Sequence, residues 1–200
     1  MVGSGKSALD YKKHNLKNVD IMAVNNSIKA FDNLVVNYYL CATDFPKTEI
    51  PNKNSYKEKV SKYSYRYHTL AFAKYNNLPF RPLVGKAIFL DSLNWAFTKG
   101  YRKIYLLGFD HDYNPNRVKK WDGKYLTDSN KLEKIFDGKD EEPDTFYGQG
   151  TPDPLRLGEE NLQNVFNLVQ AHSKFYGCEI YNLSTNKSGL LKFKRVKKID

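Results

Sequence analysis

The stretch Gly100–Tyr113, GYRKIYLLGFDHDY, most constrains what this chain can fold into. Its apolar run Ile104–Leu107 lies between two glycines, and short runs of branched and aromatic residues bounded in this way are typical of strands buried on both faces of a parallel sheet. The charged triplet Asp110–Asp112 follows directly. Ligands of open α/β sheets bind beyond the carboxyl ends of the strands, so this triplet lies where such proteins usually do their chemistry.

The rest of the chain predicts an alternation of strands and helices. Further strands are predicted at Val19–Val24, Leu34–Ala42 and Cys178–Leu183. Helices are predicted to begin near Ser7 and to cover Ser55–Asn77 in broken form, Gly85–Lys99 and Leu157–Tyr176. A helix that leads directly into a buried strand is half of a parallel crossover. We therefore predict a single α/β domain over residues 1–200, with a Rossmann-like, doubly wound, mainly parallel sheet and helices on both faces.

The polar segment around residues 114–147 is long for a connection inside a compact domain. Loops of this size are often lids or binding loops. We predict a lid-like insertion, in which Trp121, Tyr125 and Tyr147 are candidates to cover a ligand. Hydrophobic anchoring of the loop is the alternative role for these three side chains.

The charge balance favours anionic partners. The chain has 32 lysines and arginines against 22 acidic residues, a net charge of +10. Such an excess suits a nucleotide, or a polyanion such as nucleic acid, although solvated lysine-rich faces explain it as well.

Several features predict a cytoplasmic protein. No run of about 18 apolar residues that could span a membrane is present, and the first residues lack the apolar core of a signal peptide. Cys41 and Cys178 both lie in apolar runs, which favours buried free thiols in a reducing compartment over a disulfide or a metal pair.

The turn Gly3–Ser7, GSGKS, resembles a phosphate loop but departs from it. That pattern needs a glycine five positions before the one that precedes the lysine, and a strand before the loop. Counting back from Gly5 passes the chain start, so either the sheet lacks its first strand or the natural start lies upstream. A glycine-rich turn that leads into a helix can still bind phosphate through its backbone amides.

Small polar and acidic residues follow each predicted strand or open the first turn. If the strands are parallel, these groups converge on one edge of the sheet, where amides and carboxylates can bind a base, a ribose or a phosphate. Turn chemistry alone also favours such residues after strands. The predicted nucleotide-binding residues are Ser4, Gly5, Asn25, Asn26, Asp44, Ser184 and Asn186.

Four motifs resemble those of a known group of proteins: Gly3–Leu9, Val24–Asn26, Gly100–Asp110 and Ile180–Ser188. They are similar to motifs of the bacterial sialyltransferases that use CMP-sialic acid. They also resemble the related pterin diphosphokinase-like (MptE-like) proteins, which occur beside surface-glycan genes and in phages. The Gly3–Leu9 turn carries Lys6 where proline is usual, and Gly100–Asp110 is the most specific match.

The resemblance implies a nucleotide pocket. Ser4, Gly5 and Asn25 would contact phosphate, ribose or base, Asp110 would bind near the sugar or nucleotide, and Ser184 and Asn186 would close the far side. In the sialyltransferases the catalytic base is a histidine shortly before the last helix, whereas residues 147–158 contain none. The predicted catalytic residues here are His111 as a substitute base, its orientation set by Asp112 or Asp44, together with Asp110.

Three functions are compatible with the sequence. The first is a nucleotide-sugar-dependent glycosyltransferase that takes a CMP-sugar or a nucleoside diphosphate sugar and moves the sugar to a hydroxyl acceptor. The second is an MptE-like, ATP-dependent pyrophosphokinase, for which Mg²⁺ is a candidate cofactor held through Asp110 or Asp112. The third is a non-catalytic module that binds nucleotides or nucleic acid. No dedicated metal site is predicted.

Overall fold

The computed structural model describes residues 1–42, 45–60, 88–110, 145–147, 159–185 and 192–199. Six strands are present in these ranges: β1 (Met22–Val24), β2 (Val36–Leu40), β3 (Tyr56–Lys59), β4 (Lys103–Leu106), β5 (Glu179–Asn182) and β6 (Lys194–Arg195). Two α-helices lie in the same ranges, α1 (Ile88–Thr98) and α2 (Glu159–Phe175). Short 3₁₀ helices cover Lys6–Lys13, Asn25–Ala30, Lys47–Glu49 and Lys53–Ser55.

The strands form two small parallel sheets. One sheet has the order β1-β2-β3 and the other β4-β5-β6, and every pairing within them is parallel. Ile104 of the central predicted strand lies opposite Ile180 of β5. The α/β class and the parallel strands are therefore confirmed.

Val2 lies between the two sheets. It forms isolated parallel bridges to Ala23 of β1 and to Leu107 directly after β4. Its N–H donates to the carbonyl of Met22 at 2.8 Å, and the N–H of Gly3 donates to the carbonyl of Leu107 at 2.8 Å. The residues before the glycine-rich turn thus take the place of a very short strand, although no strand was expected there.

Both faces of the sheets are covered. Side chains alternate between faces along a strand, so Ile104 and Leu106 of β4 belong to one core while Leu107 belongs to the other. The first core contains apolar residues of α1 and α2: Phe89, Leu90, Leu93, Trp95, Phe97 and Val169. To the second core, the first two 3₁₀ helices and the residue after them contribute Ala8, Ile28, Ala30 and Phe31. The central strand is buried in a parallel sheet, as its apolar run predicts.

The helix-like prediction over Ser55–Asn77 is wrong for its first residues. Tyr56–Lys59 forms β3, the outer strand of its sheet, with Tyr56 opposite Val36. Lys57, Glu58 and Lys59 are exposed, so this edge strand lacks the apolar alternation by which strands are recognised. Residues 61–77 of the predicted helix lie outside the described residues.

The basic C-terminal segment also contributes to the fold. Phe193 is buried in the first core, and Val196 and Ile199 pack against the second. β6 pairs with β5, and the guanidinium of Arg195 donates to the carbonyl of Ser184 at 2.8 Å. The lysines of this segment therefore lie on a paired strand and on the neighbouring residues, whose apolar side chains pack against the cores.

Cys41 and Cys178 are free thiols, and Cys178 is buried as predicted, whereas Cys41 is only half-buried. Burial raises the pKa of Cys178 to about 11, so this thiol stays protonated at neutral pH. Within the described ranges, no helix has the length and apolarity that crossing a bilayer requires.

We expect Ser27→Ala to destabilise the fold by about 2 kcal/mol. The fully buried Ser27 hydroxyl accepts the N–H of Val24 and donates to the carbonyl of Val2, both at 2.7 Å, so its loss leaves two backbone groups without this partner. Urea denaturation measures the change. Ser55→Ala, at a half-buried position, is the control and should change stability by less than about 0.5 kcal/mol. Equal stability of the two variants would contradict this role for Ser27.

Candidate functional site

Asp110 joins three segments at the carboxyl edge of the strands. Its side chain is 5% exposed and accepts the N–H of Ser7 at 3.0 Å, the hydroxyl of Ser7, and the hydroxyl of Ser184 at 2.6 Å. Asp110 follows β4, Ser7 ends the glycine-rich turn and lies in the 3₁₀ helix Lys6–Lys13, and Ser184 follows β5. One carboxylate therefore holds together the ends of two neighbouring strands and the turn.

The glycines of this region allow the backbones to approach closely. The N–H of Gly5 donates to the carbonyl of Gly108 at 2.7 Å. A Cβ on Gly5 would lie 2.5 Å from Oδ2 of Asp110, and one on Gly3 would lie 2.5 Å from the carbonyl oxygen of Gly108. Gly108 has a φ of +70°, which favours glycine. The spacing Gly-x-Gly is thus explained by contact with the end of β4.

The backbone amides of the turn have protein partners. The N–H groups of Gly3 and Gly5 donate to carbonyls after β4, and that of Ser7 donates to Asp110. A helix N-terminus attracts anions, and here the carboxylate of Asp110 is that anion. A phosphate at this edge would therefore meet side chains such as Ser4 and the exposed Lys6 rather than the amides of Gly5 and Ser7.

Asn25 connects the ends of β1 and β2. Its φ is +51°, a left-handed conformation that asparagine adopts more readily than most residues. Its Oδ1 accepts the N–H of Ala42 at 2.9 Å. The asparagine predicted from the strand end is thus at the expected edge, with one side-chain oxygen used to hold the neighbouring strand end.

A polar cluster lies beside Asn25, formed by Asn26, Lys29 and Glu49. The Lys29 ammonium is 3.0 Å from Oε2 of Glu49. Hydrogen bonds from Lys29 and from the Asn26 amide lower the pKa of Glu49, so this carboxylate is ionised at neutral pH. Lys29 and Glu49 were not predicted as site residues, because nothing local in the sequence indicates that residues twenty positions apart pair in space.

Residues 145–147 bring an aromatic ring to the same place. The N–H of Phe146 donates to the carbonyl of Ser4 at 3.2 Å, which attaches this segment to the glycine-rich turn. Lys29 lies 5.4 Å from the centre of the Tyr147 ring, and Tyr147 is 38% exposed. A residue predicted to cover a ligand therefore lies beside the polar cluster.

The structure brings all six of the predicted site residues that it describes to one edge. The predicted residues found there are Ser4, Gly5, Asn25, Asn26, Asp110 and Ser184. The others, Asp44, His111, Asp112 and Asn186, lie outside the described residues, as do Trp121 and Tyr125. The catalytic roles assigned to Asp110, His111 and Asp112 stay predictions.

The carboxylate of Asp110 is poorly suited to be a ligand of Mg²⁺. Its oxygens already accept the three donors of Ser7 and Ser184, and the side chain is buried. Mg²⁺ requires well-placed oxygen ligands and usually keeps several waters. The described residues contain no group of three or more His, Cys, Asp or Glu side chains arranged to hold a metal.

A cavity of about 300 Å³ opens at the opposite edge, among the amino ends of the strands. Met1, Ile21 and Lys103 line it, together with aromatic side chains such as Trp95 and Tyr101. It contains none of the predicted site residues. Because ligands of parallel α/β sheets bind at the carboxyl ends of the strands, we place the candidate site at the Asp110 edge.

Neither a protein-family model, nor a curated protein, nor a solved structure matches this chain. The resemblance to the sialyltransferases and the MptE-like proteins therefore stays a prediction that its four motifs carry.

We expect Asp110→Ala to lower the free energy of unfolding by about 3 kcal/mol, because the hydroxyls of Ser7 and Ser184 and the N–H of Ser7 lose their common acceptor. Urea denaturation measures this loss. Asp32→Ala removes the same charge at an exposed position and should change stability by less than about 0.5 kcal/mol. If the two variants are equally stable, the Asp110 hydrogen bonds do not hold this edge together.

Proposed function

We propose that the chain is a nucleotide-sugar-dependent glycosyltransferase built on a Rossmann-like, doubly wound sheet. The main support for the proposal is the position of Val2 between β1 and Leu107. From Val2 the strands follow one another outward through β1, β2 and β3, and then continue on its other side with β4, β5 and β6. The strand order therefore reverses beside Val2, and open α/β sheets bind their ligands at the carboxyl side of such a reversal.

The groups at this reversal suit the phosphate of a nucleotide donor. Ser4 and Lys6 belong to the turn that follows Val2 directly. The hydrogen bonds of Asp110 to Ser7 and Ser184 hold the turn against the neighbouring strand ends. A site held in advance loses little ordering entropy when a ligand binds. The net charge of +10 favours an anionic donor such as a CMP-sugar or a nucleoside diphosphate sugar.

The proposed reaction is a direct displacement at the anomeric carbon of the donor. The acceptor oxygen forms the new bond as the bond to the nucleotide phosphate breaks, and the acceptor proton passes to a base. His111 follows Asp110 in the chain and is the base that we propose. Lys6 would stabilise the negative charge that develops on the leaving phosphate.

The hydrogen bonds of Asp110 favour glycosyl transfer over the pyrophosphokinase alternative. A pyrophosphokinase needs Mg²⁺ on its phosphates, and Asp110 was one of the two carboxylates expected to hold it. That carboxylate is engaged with Ser7 and Ser184 instead. In the glycosyltransferase proposal these hydrogen bonds of Asp110 position the turn and no metal ligand is required of it, while its catalytic role stays a prediction.

We expect one nucleotide class to raise the melting temperature of the protein, because a ligand that binds only the folded state stabilises it by mass action. The measurement is a thermal-shift series with CMP, CDP, UDP, GDP and ATP and their sugar conjugates, each with and without Mg²⁺. Stabilisation by CMP or by one nucleoside diphosphate, without need of Mg²⁺, supports the proposal. Stabilisation by ATP only with Mg²⁺ would favour the pyrophosphokinase, and no stabilisation by any nucleotide would contradict both.

Lys6→Ala is the matching variant for this series. Its affinity for the stabilising nucleotide should fall about tenfold, because a hydrogen bond to a charged phosphate is lost. Lys17→Ala removes the same charge at an exposed position before β1, on the amino side of the strands, and should bind the nucleotide like the unchanged protein.

We expect His111→Ala to reduce turnover at least about a hundredfold while nucleotide affinity stays unchanged, since general-base catalysis contributes to the reaction and not to donor binding. Release of the free nucleotide from the stabilising sugar nucleotide, in the presence of hydroxyl acceptors, measures turnover. Turnover equal to that of the unchanged protein would remove His111 from the mechanism. His14→Ala, a histidine at the amino-edge cavity, is the control.

A further inference from the structure

We propose that Glu49 binds the ribose hydroxyls of the nucleotide, and that Tyr147 packs against its base. This inference rests on the proposed function, because it assigns the part of the ligand that the polar cluster of Asn26, Lys29 and Glu49 recognises. It predicts a protein that distinguishes ribonucleotides from 2′-deoxyribonucleotides.

Glu49 is an ionised and accessible acceptor. Lys29 and the Asn26 amide lower its pKa, and its side chain is 41% exposed. A carboxylate has about four lone-pair sites. The Lys29 ammonium, 3.0 Å from Oε2, uses one of them, so acceptor capacity remains on a side chain that its ion pair holds in place. An acceptor of this kind selects ligand groups that donate, such as a pair of hydroxyls.

Glu49 lies beside the strand end from which parallel α/β proteins bind ribose. In dinucleotide-binding sheets, an acidic residue at the end of the strand next to the glycine-rich turn accepts from the ribose hydroxyl. Here the strand next to the turn is β1, which ends in Val24 and continues into Asn25 and Asn26. Lys29 belongs to the 3₁₀ helix Asn25–Ala30 that begins at this strand end, and its ion pair with Glu49 at 3.0 Å brings the carboxylate there.

Tyr147 supplies a flat apolar surface at the same edge. The hydrogen bond between Phe146 and Ser4 attaches its segment to the turn where we propose the phosphate, and Lys29 joins its ring to the polar cluster. Its exposed fraction of 38% leaves ring surface for a base. Stacking of a base on an aromatic side chain contributes to binding whichever base is present.

The test compares the affinity of each ribonucleotide with that of its 2′-deoxy form. Isothermal titration calorimetry is carried out with CMP, CDP, UDP, GDP and ADP and their 2′-deoxy counterparts. For the nucleotide that binds, we expect the ribose form to bind about tenfold more tightly, the loss expected for one charge-assisted hydrogen bond. In Glu49→Gln this ratio should fall to about three, because a neutral amide oxygen accepts a hydrogen bond about half as strong as the one to a carboxylate.

Glu179→Gln is the control for the change of charge. Glu179 is exposed at the start of β5, on the amino side of the strands, so this variant should keep the ratio of the unchanged protein. Equal affinity for the ribose and deoxyribose forms in the unchanged protein would overturn the inference while leaving the proposed function intact. The same holds if the ratio is unchanged in Glu49→Gln. Absence of binding of every nucleotide would overturn both.

Tyr147 is tested in the same titrations. We expect Tyr147→Ala to weaken binding of the ribose and deoxyribose forms alike, by about tenfold, while Tyr147→Phe keeps the affinity because it keeps the ring. A loss in Tyr147→Phe as large as in Tyr147→Ala would show that the hydroxyl matters rather than the ring, and would overturn the stacking role.

Discussion

The carboxyl edge of this protein depends on one buried carboxylate. An ionised side chain out of water is costly unless it is well hydrogen-bonded. In the described part of the chain Asp110 obtains its partners from hydroxyls and a backbone amide, through Ser7 and Ser184. Because these donors come from segments far apart in the sequence, satisfying Asp110 fixes their relative positions. The geometry of any ligand site at this edge follows from that arrangement.

The central features of the fold could be predicted because their signals are local. The apolar run of β4 between glycines, the strong helical pattern of α1 and the amphipathic pattern of α2 each predict an element close to the observed one. β3 was missed because an exposed edge strand is defined by its pairing with β2 and not by its own apolar pattern. Val2 was missed for the same reason, since a single residue becomes part of a sheet only through its two neighbours.

The location of the candidate site could be predicted, but the contacts of its side chains could not. Polar residues after parallel strands do converge, so Asn25, Asp110 and Ser184 lie at the expected edge. What the sequence does not contain is the direction in which each group points. The side-chain oxygens of Asn25 and Asp110 accept hydrogen bonds from other segments of the protein. The ion pair of Lys29 with Glu49 forms because two short helices contact each other. Local pattern identifies residue types, while their partners depend on long-range packing.

The place of Val2 also has a consequence for the order of folding. β1 pairs with β2, and β4 with β5, whereas the contacts that join the two sheets link the first residues to residues about a hundred positions away, as between Met1 and Tyr105. Closing so long a loop costs chain entropy before any contact compensates for it, and non-local contacts slow folding. We therefore expect the contacts of the first residues with Leu107 to form after their shorter-range contacts with Met22 and Ala23.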